Sequence, residues 1–181
     1  MEYLDDAEIA KKVAEGDTEL FEHIVRRYEK RLFIYAGNLL PGSADTADAV
    51  QEVFIKAYGK LSTYDPGKGS LAAWLFTIAR NTCFNELKKK RHVSLDEVPE
   101  PSVKDNSPGE LLRKEANKRL DEALAGLKAD DKELFIMAEL DEMPYTEISE
   151  VMKLNIGTVR SRLSRIKEKL KAALKDLEVK D

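Results

Sequence analysis

Apolar residues recur along most of this chain at three- and four-residue intervals, the spacing that gathers them on one face of an α-helix. Phe21, Ile24, Val25, Tyr28, Leu32, Tyr35, Ala36 and Leu39 make one such stripe, and Pro41-Gly42 ends it. Ser43 is placed to cap the next helix, with Asp45 complementing the dipole of its first turn. The buried side of that helix carries Val50, Val53, Phe54, Ala57 and Leu61. From Ser62 to Gly69 every residue favours turns. Ser70 then caps a third long helix with Leu71, Trp74, Leu75, Ile78, Thr82 and Leu87 on its inward side, which places Trp74 in the core. That helix ends in the basic run Lys88-Lys89-Lys90-Arg91.

Between Val93 and Glu110 the pattern stops. Pro99, Pro101 and Pro108 stand among Asp96, Glu97, Glu100, Asp105 and Glu110, with Lys104 the only base. Such a segment buries too little apolar area to offset its ordering entropy, so a mobile acidic tether is expected. Helical spacing resumes with Leu112, Ala116, Leu120, Ala123, Leu124 and Leu127, then with Leu134, Phe135, Met137, Ala138 and Leu140. The period-two alternation of strands is absent throughout. The expected fold is therefore all-α: two small helical domains, 1–92 and 111–181, joined by a flexible linker over 93–110.

The stretch from Pro144 to Leu163 reads as helix, tight turn, helix. Pro144 suits a first helical position, Ile148 and Val151 face inward, and Asn155 can cap the second helix through the amide of Gly157 or Thr158. Val159, Leu163, Ile166, Leu170 and Leu174 point inward along that second helix. This leaves Thr158, Arg160, Ser161, Arg162, Ser164, Arg165 and Lys167 outside, near its amino end, where a recognition helix needs forked donors for guanine edges and phosphates. A solvated amphipathic hairpin would also carry bases. Hydroxyls and guanidiniums interleaved on one face directly after a capped turn instead favour a helix-turn-helix laid in the major groove.

The formal net charge of the 181 residues is -4, which argues against a chain that coats nucleic acid unaided. Its distribution matters more. Up to Glu22 the acids Glu2, Asp5, Asp6, Glu8, Glu15, Asp17, Glu19 and Glu22 face only Lys11 and Lys12. From Ile156 to Lys175, Arg160, Arg162, Arg165, Lys167, Lys169, Lys171 and Lys175 face only Glu168. One end repels phosphate and the other attracts it.

With 43% hydrophobic and 35% charged residues, an acidic start and no long apolar run, a cytoplasmic chain without membrane insertion is expected. Cys83, His23 and His92 are the only residues of their kinds, and their spacing makes no metal site, so Cys83 is read as a small buried hydrophobe. No glycine-rich phosphate loop or nucleophile-base pairing occurs. The chain is accordingly expected not to be an enzyme, with no cofactor, metal or small-molecule substrate. An alternative remains in a stand-alone helix-turn-helix regulator that binds duplex as a dimer, although no dimer seam is obvious.

Several of these residues together resemble a known family, the extracytoplasmic-function (ECF) sigma factors of bacterial RNA polymerase. Tyr145-x-Glu147-Ile148-Ser149-Glu150 and Gly157-Thr158-Val159-Arg160-Ser161-Arg162-Leu163-Ser164-Arg165 are similar to its promoter-reading domain. Asp48-Ala49-Val50-Gln51-Glu52-Val53-Phe54 and Trp74-Leu75-Phe76-Thr77-Ile78-Ala79-Arg80-Asn81 are similar to its polymerase-binding and promoter-opening domain. The resemblance runs from about Leu20 to Leu174, except for the linker.

It implies two partners, core RNA polymerase and promoter DNA, and control by an anti-sigma factor. Asp48, Gln51, Glu52 and Phe54 would dock on the coiled coil of the polymerase's largest subunit, Phe54 serving equally well as core. Tyr64, Asp65 and Lys68 would form a pocket wall for an unstacked base of the minus-ten element. Arg80, Asn81, Lys88, Lys89 and Arg91 would meet upstream duplex or the displaced strand by charge, the lysine run serving equally as a solvated helix end. The basic helix would read the minus-thirty-five element. Three departures stand out: Lys153 where the turn commonly has glycine, Asn85 where aspartate is usual, and Leu71 and Ala73 in place of phenylalanine and threonine before the tryptophan. A left-handed backbone at Lys153 would cost roughly 1 kcal/mol.

Overall fold

A capping box opens the first helix, α1 (Asp6–Ala14): the Asp5 carboxylate accepts the Glu8 amide at 2.8 Å, and Glu8 reaches back to the Asp5 amide. The computed structural model describes residues 4–40, 42–93 and 122–178. Among them every regular element is helical. The second helix, α2 (Phe21–Leu39), buries Ile24, Tyr28, Leu32, Tyr35 and Ala36, the face its spacing predicts. The third, α3 (Ser43–Lys60), begins at Ser43 rather than after it. The capping position falls to Gly42, whose extended backbone turns the chain, and Thr46 donates back to the Gly42 carbonyl at 2.9 Å.

Ser70 caps α4 (Leu71–Val93) as read, its hydroxyl accepting the Ala73 amide at 3.0 Å. The expected inward positions Leu71, Leu75 and Thr82 are buried, but so are Ala72, Ala73, Phe76, Ala79 and Cys83. A helix apolar on more than one side is one that packs on more than one side. α4 contacts α2 and α3 within the N-terminal domain and, on a further face, a helix of the C-terminal domain. The tether expected between Val93 and Glu110 lies outside the described residues except for Val93 itself, as does the start of the helix expected from Leu112.

Helical backbone is described again over 122–125, followed by α5 (Ala129–Phe135). This helix widens into a π turn at Ile136–Leu140, where the Asp141 amide reaches the Ile136 carbonyl at 3.0 Å. Then come α6 (Tyr145–Met152) and α7 (Ile156–Glu178). Pro144 caps α6 in extended backbone instead of occupying its first turn, because its carbonyl already accepts the Ile148 amide at 3.0 Å. Lys153 ends α6 left-handed, at φ 54° and ψ 44°. Asn155 then caps α7, its side-chain oxygen accepting the Gly157 amide at 2.8 Å. Val159, Leu163, Ile166 and Leu170 are buried, so α7 rests on α5 and α6 with its opposite face in solvent. No described helix is long and apolar enough to cross a membrane.

Candidate nucleic-acid and partner interfaces

On α7 the exposed face is basic and hydroxylated. Thr158, Arg160, Ser161, Ser164 and Arg165 all lie in solvent, Ser161 bonding back to the Thr158 carbonyl at 3.2 Å. Two further expected members are held within the domain. Arg162 directs Nε and Nη2 to one oxygen of Asp131 on α5 at 3.2 and 2.6 Å, and Lys167 pairs with Glu139 at 2.8 Å. The geometry is that of a helix-turn-helix: a short helix, a left-handed turn, and a longer capped helix presenting its first turns outward.

At the amino end of α4, Tyr64, Asp65, Lys68, Gly69, Ser70, Ala73, Trp74 and Thr77 line a pocket of about 210 Å³. Tyr64 leans against Trp74 with ring centroids 5.8 Å apart and donates its hydroxyl to the Gly69 carbonyl at 3.2 Å. Trp74, expected in the core, is only half-buried and forms the pocket wall. Leu71 and Leu75 fill the core on either side of it, leaving position 74 at the edge of the stripe. The loop is stapled to itself: Asp65 accepts the Gly67 amide at 3.0 Å and pairs with Lys68 at 3.2 Å, and these two contacts hold its carboxyl below the usual range. Two aromatic faces offer a stacking surface for an unstacked base, with Lys68, Asp65 and Glu150 as the charged groups of the pocket lining.

Asn81, Lys88 and Lys89 are exposed further along α4, Lys89 paired with Glu86 at 2.5 Å. Arg91 lies on the same helix, its side chain outside the described residues. Arg80 is different. Its guanidinium stacks over Phe84 at 4.8 Å, lies 2.9 Å from Glu133, and approaches Asp130 at 3.6 Å, both carboxylates belonging to the C-terminal domain. Glu133 is fully buried and also accepts the Tyr35 hydroxyl at 2.7 Å. Burial pushes the Glu133 carboxyl above its usual range against the opposing pull of Tyr35 and Arg80.

A third surface lies across α2 and α3. Asp48 and Gln51 are exposed, Glu52 pairs with Lys56 at 2.6 Å, and Phe54 is half-buried with its ring edge-on to Phe21 at 6.4 Å. Gln51 and Phe54 border an apolar groove of about 470 Å³ that Phe33, Ile55 and Tyr58 also line. Those last three are 39%, 65% and 47% exposed, an apolar patch of the kind that marks a protein interface. Sequence reading passed over all three. The signal was Ile55, an aliphatic residue at a position the α3 stripe leaves in solvent. Among the described residues no cluster of three or more His, Cys, Asp or Glu is placed to hold a metal ion.

Residues 24–93 match Sigma-70 region 2, and residues 117–170 match Sigma-70, region 4. The chain is 30% identical to the ECF RNA polymerase sigma-E factor of Haemophilus influenzae, covering 97% of this chain and 98% of that protein. It is equally 30% identical to the Escherichia coli K12 protein of the same name, covering 92% and 93%. Among solved structures, CnrH in complex with the cytosolic domain of CnrY superposes with a TM-score of 0.73 at 23% identity, over 93% of this chain and 96% of that one. The sigma factor RpoE of Bartonella quintana, in complex with the anti-sigma factor NepR, gives 0.68 at 26% identity, over 86% and 96%. With both regions present in order and relatives matched almost end to end, the chain belongs to the ECF sigma factors of bacterial RNA polymerase.

Proposed function

We propose that this sigma factor docks on core RNA polymerase through the α2–α3 groove and selects promoters with two separate readers. Phe54 and the exposed Ile55 and Tyr58 supply apolar area for a partner helix, while Asp48, Gln51 and Glu52 set its register by charge and hydrogen bonding. The Tyr64–Trp74 pocket takes an unpaired base of the minus-ten element, and Asn81, Lys88, Lys89 and Arg91 hold the phosphates beside it. Thr158, Arg160, Ser161, Ser164 and Arg165 read the minus-thirty-five duplex. Arg80 joins the minus-ten set when Glu133 and Asp130 release it, and Arg162 and Lys167 serve chiefly to seat α7.

The observation that carries this reading is the pairing, in one chain, of an aromatic pocket at Tyr64 and Trp74 with a capped helix whose exposed face is basic. Neither alone buries enough DNA to bind tightly. Held on the polymerase at promoter spacing, the two become a bivalent contact with a high effective concentration. Promoter opening then needs no chemistry from this subunit, since capture of unpaired bases shifts the duplex equilibrium. The chain acts in the cytoplasm, without catalysis or cofactor, and an anti-sigma factor keeps it inactive, a reading supported by the complex of the similar RpoE with the anti-sigma factor NepR.

The test is co-purification with core polymerase followed by run-off transcription and promoter mapping. Association with core and start-site selection are expected. Failure to associate, together with tight duplex binding by the free chain, would overturn the reading.

A further inference from the structure

Helix α1 is pinned to α2 along one side: its Asp6 carboxylate accepts from Arg27 and Tyr28, and Ile9, Ala10 and Val13 are buried. On another side a groove of about 470 Å³ opens between α1 and the turn that follows α3, as large as the groove across α2 and α3. Ala7 and Ala14 share a helix face and line one wall, where short side chains let a second backbone come close. Leu61, Tyr64 and Pro66 line the other. The charged lining is acidic, Asp5, Glu8 and Glu15 with Lys11. The Asp5 and Glu8 carboxylates accept backbone amides at 2.8 and 3.4 Å, and an amide carries no charge to cancel theirs. Lys11 reaches Glu15 at 3.9 Å in solvent, where such a pair is weak. The negative field extends to Tyr64, whose hydroxyl is pushed above its ordinary range by burial and then by Asp6 and Asp5. Tyr64 also lines the pocket against Trp74, so a DNA strand there would pass nearby, and the three carboxylates turn it away from this groove.

An apolar floor with an acidic rim fits a ligand that is apolar on one side and cationic at its flanks. We propose that the groove between α1 and the turn after α3 is a docking site for a short basic amphipathic helix of a partner protein. Apolar side chains spaced three and four apart enter between the alanines of α1 and the wall made by Leu61, Tyr64 and Pro66, while Lys or Arg on the flanks meet Asp5, Glu8 and Glu15. The 9 residues of α1 span about 14 Å, so about two and a half turns of the partner lie along it. This groove shares no lining residue with the one across α2 and α3, and an occupant leaves the polymerase surface uncovered.

The probe is a fluorescein-labelled helical peptide with leucine on one face and lysine on both flanks, titrated against the full chain and read by anisotropy. A second peptide carries glutamate at every lysine position. Saturable binding of the lysine peptide and none of the glutamate peptide is expected. Ala14 is exposed, so Ala14→Tyr fills the groove from its edge and should weaken binding about tenfold. Glu8→Gln combined with Glu15→Gln keeps the capping geometry and removes two charges; it should weaken binding roughly threefold and flatten its salt dependence. Absence of binding, or equal affinity in the parent and Ala14→Tyr, overturns the proposal. So does a loss that follows Ile55→Gln instead, which would seat the peptide in the groove across α2 and α3. A DNA strand or a second copy of this chain as occupant would appear as single-strand affinity, or as a dimer in sedimentation, that Ala14→Tyr abolishes, and either result also overturns it. Should Ala14→Tyr lose helical circular dichroism, Pro66→Lys on the opposite wall decides: weaker binding of the lysine peptide is expected, and unchanged affinity overturns the docking site.

Discussion

Arg162 of the recognition helix is tied to Asp131 of α5, with Nε and Nη2 both donating to one carboxylate oxygen at 3.2 and 2.6 Å. The pair fastens α7 to its own domain, and the Asp131 side chain is only 16% exposed. Arg162→Ala leaves that carboxylate without its partner, at a cost of about 1–3 kcal/mol in stability. Arg160→Ala and Arg165→Ala, both in solvent, are expected to leave the melting midpoint unchanged and to relax upstream base preference by about 1–3 kcal/mol. Thermal denaturation combined with run-off transcription on base-substituted promoters checks the division. A shifted base preference in Arg162→Ala with an unchanged melting midpoint would assign that residue to DNA instead.

Local features were the legible ones. Ser70 and Asn155 cap their helices as read, Lys153 is left-handed where its place in the turn demanded it, and the stripes of α2 and α7 bury the expected residues. Each depends only on chain neighbours. Arg162 was placed outside because it is basic, yet Val159, Arg162, Leu163 and Ile166 share one side of a helix, so its stem had to run along the domain. Ala73, Thr77 and Arg80 lie on a further side of α4 whose meaning was hidden, because the surface it meets belongs to the other domain. Trp74 was misplaced for a different reason: a pocket wall needs a loop folded over it, and no periodicity encodes that.

Ile55 is the clearest test of the polymerase groove. Being 65% exposed, it contributes little to the folded chain alone, so Ile55→Asp should melt close to the parent protein. Burying an aliphatic side chain in an interface is worth about 1.5–3 kcal/mol, so core affinity is expected to fall by roughly tenfold or more. Titration of labelled core polymerase measures it. Retained affinity in a folded Ile55→Asp would move the docking surface away from this groove.

Tyr64 supplies a face of the minus-ten pocket and one loop-closing hydrogen bond. Tyr64→Ala is expected to weaken capture of the melted strand by about 1–3 kcal/mol, the usual worth of one base–aromatic stack, with core association intact. Tyr64→Phe keeps the ring and loses only the bond to Gly69, so it should retain most of the activity. Open-complex formation on a duplex and on a pre-melted promoter separates the two effects. A defect equal in Phe and Ala would make the hydroxyl, rather than the stacking face, the important part.

Cys83 is fully buried, and burial pushes its thiol up to about 12. The sign is that of a group kept neutral: at pH 8 only about one thiol in ten thousand is ionised in the folded state, whereas an unfolded chain exposes an ordinary cysteine. Iodoacetamide is therefore expected to modify the native protein only at the rate at which this core opens, and to react freely in denaturant. Mass spectrometry over time gives the rate. Rapid labelling of the native chain would show that Cys83 is reachable without unfolding.

Lys153 stands at φ 54° and ψ 44°, between a short helix and the cap of the recognition helix. A left-handed residue with a side chain costs roughly 1–2 kcal/mol, because Cβ crowds the following carbonyl. Glycine removes that strain and gives back about 0.5–1 kcal/mol through its freer unfolded chain. Lys153→Gly is therefore expected to stabilise the C-terminal domain by roughly 0.5–1 kcal/mol, and Lys153→Val, β-branched, to destabilise it. Denaturant midpoints at constant slope measure both. If the glycine variant is the less stable one, the turn draws its shape from something other than this backbone geometry.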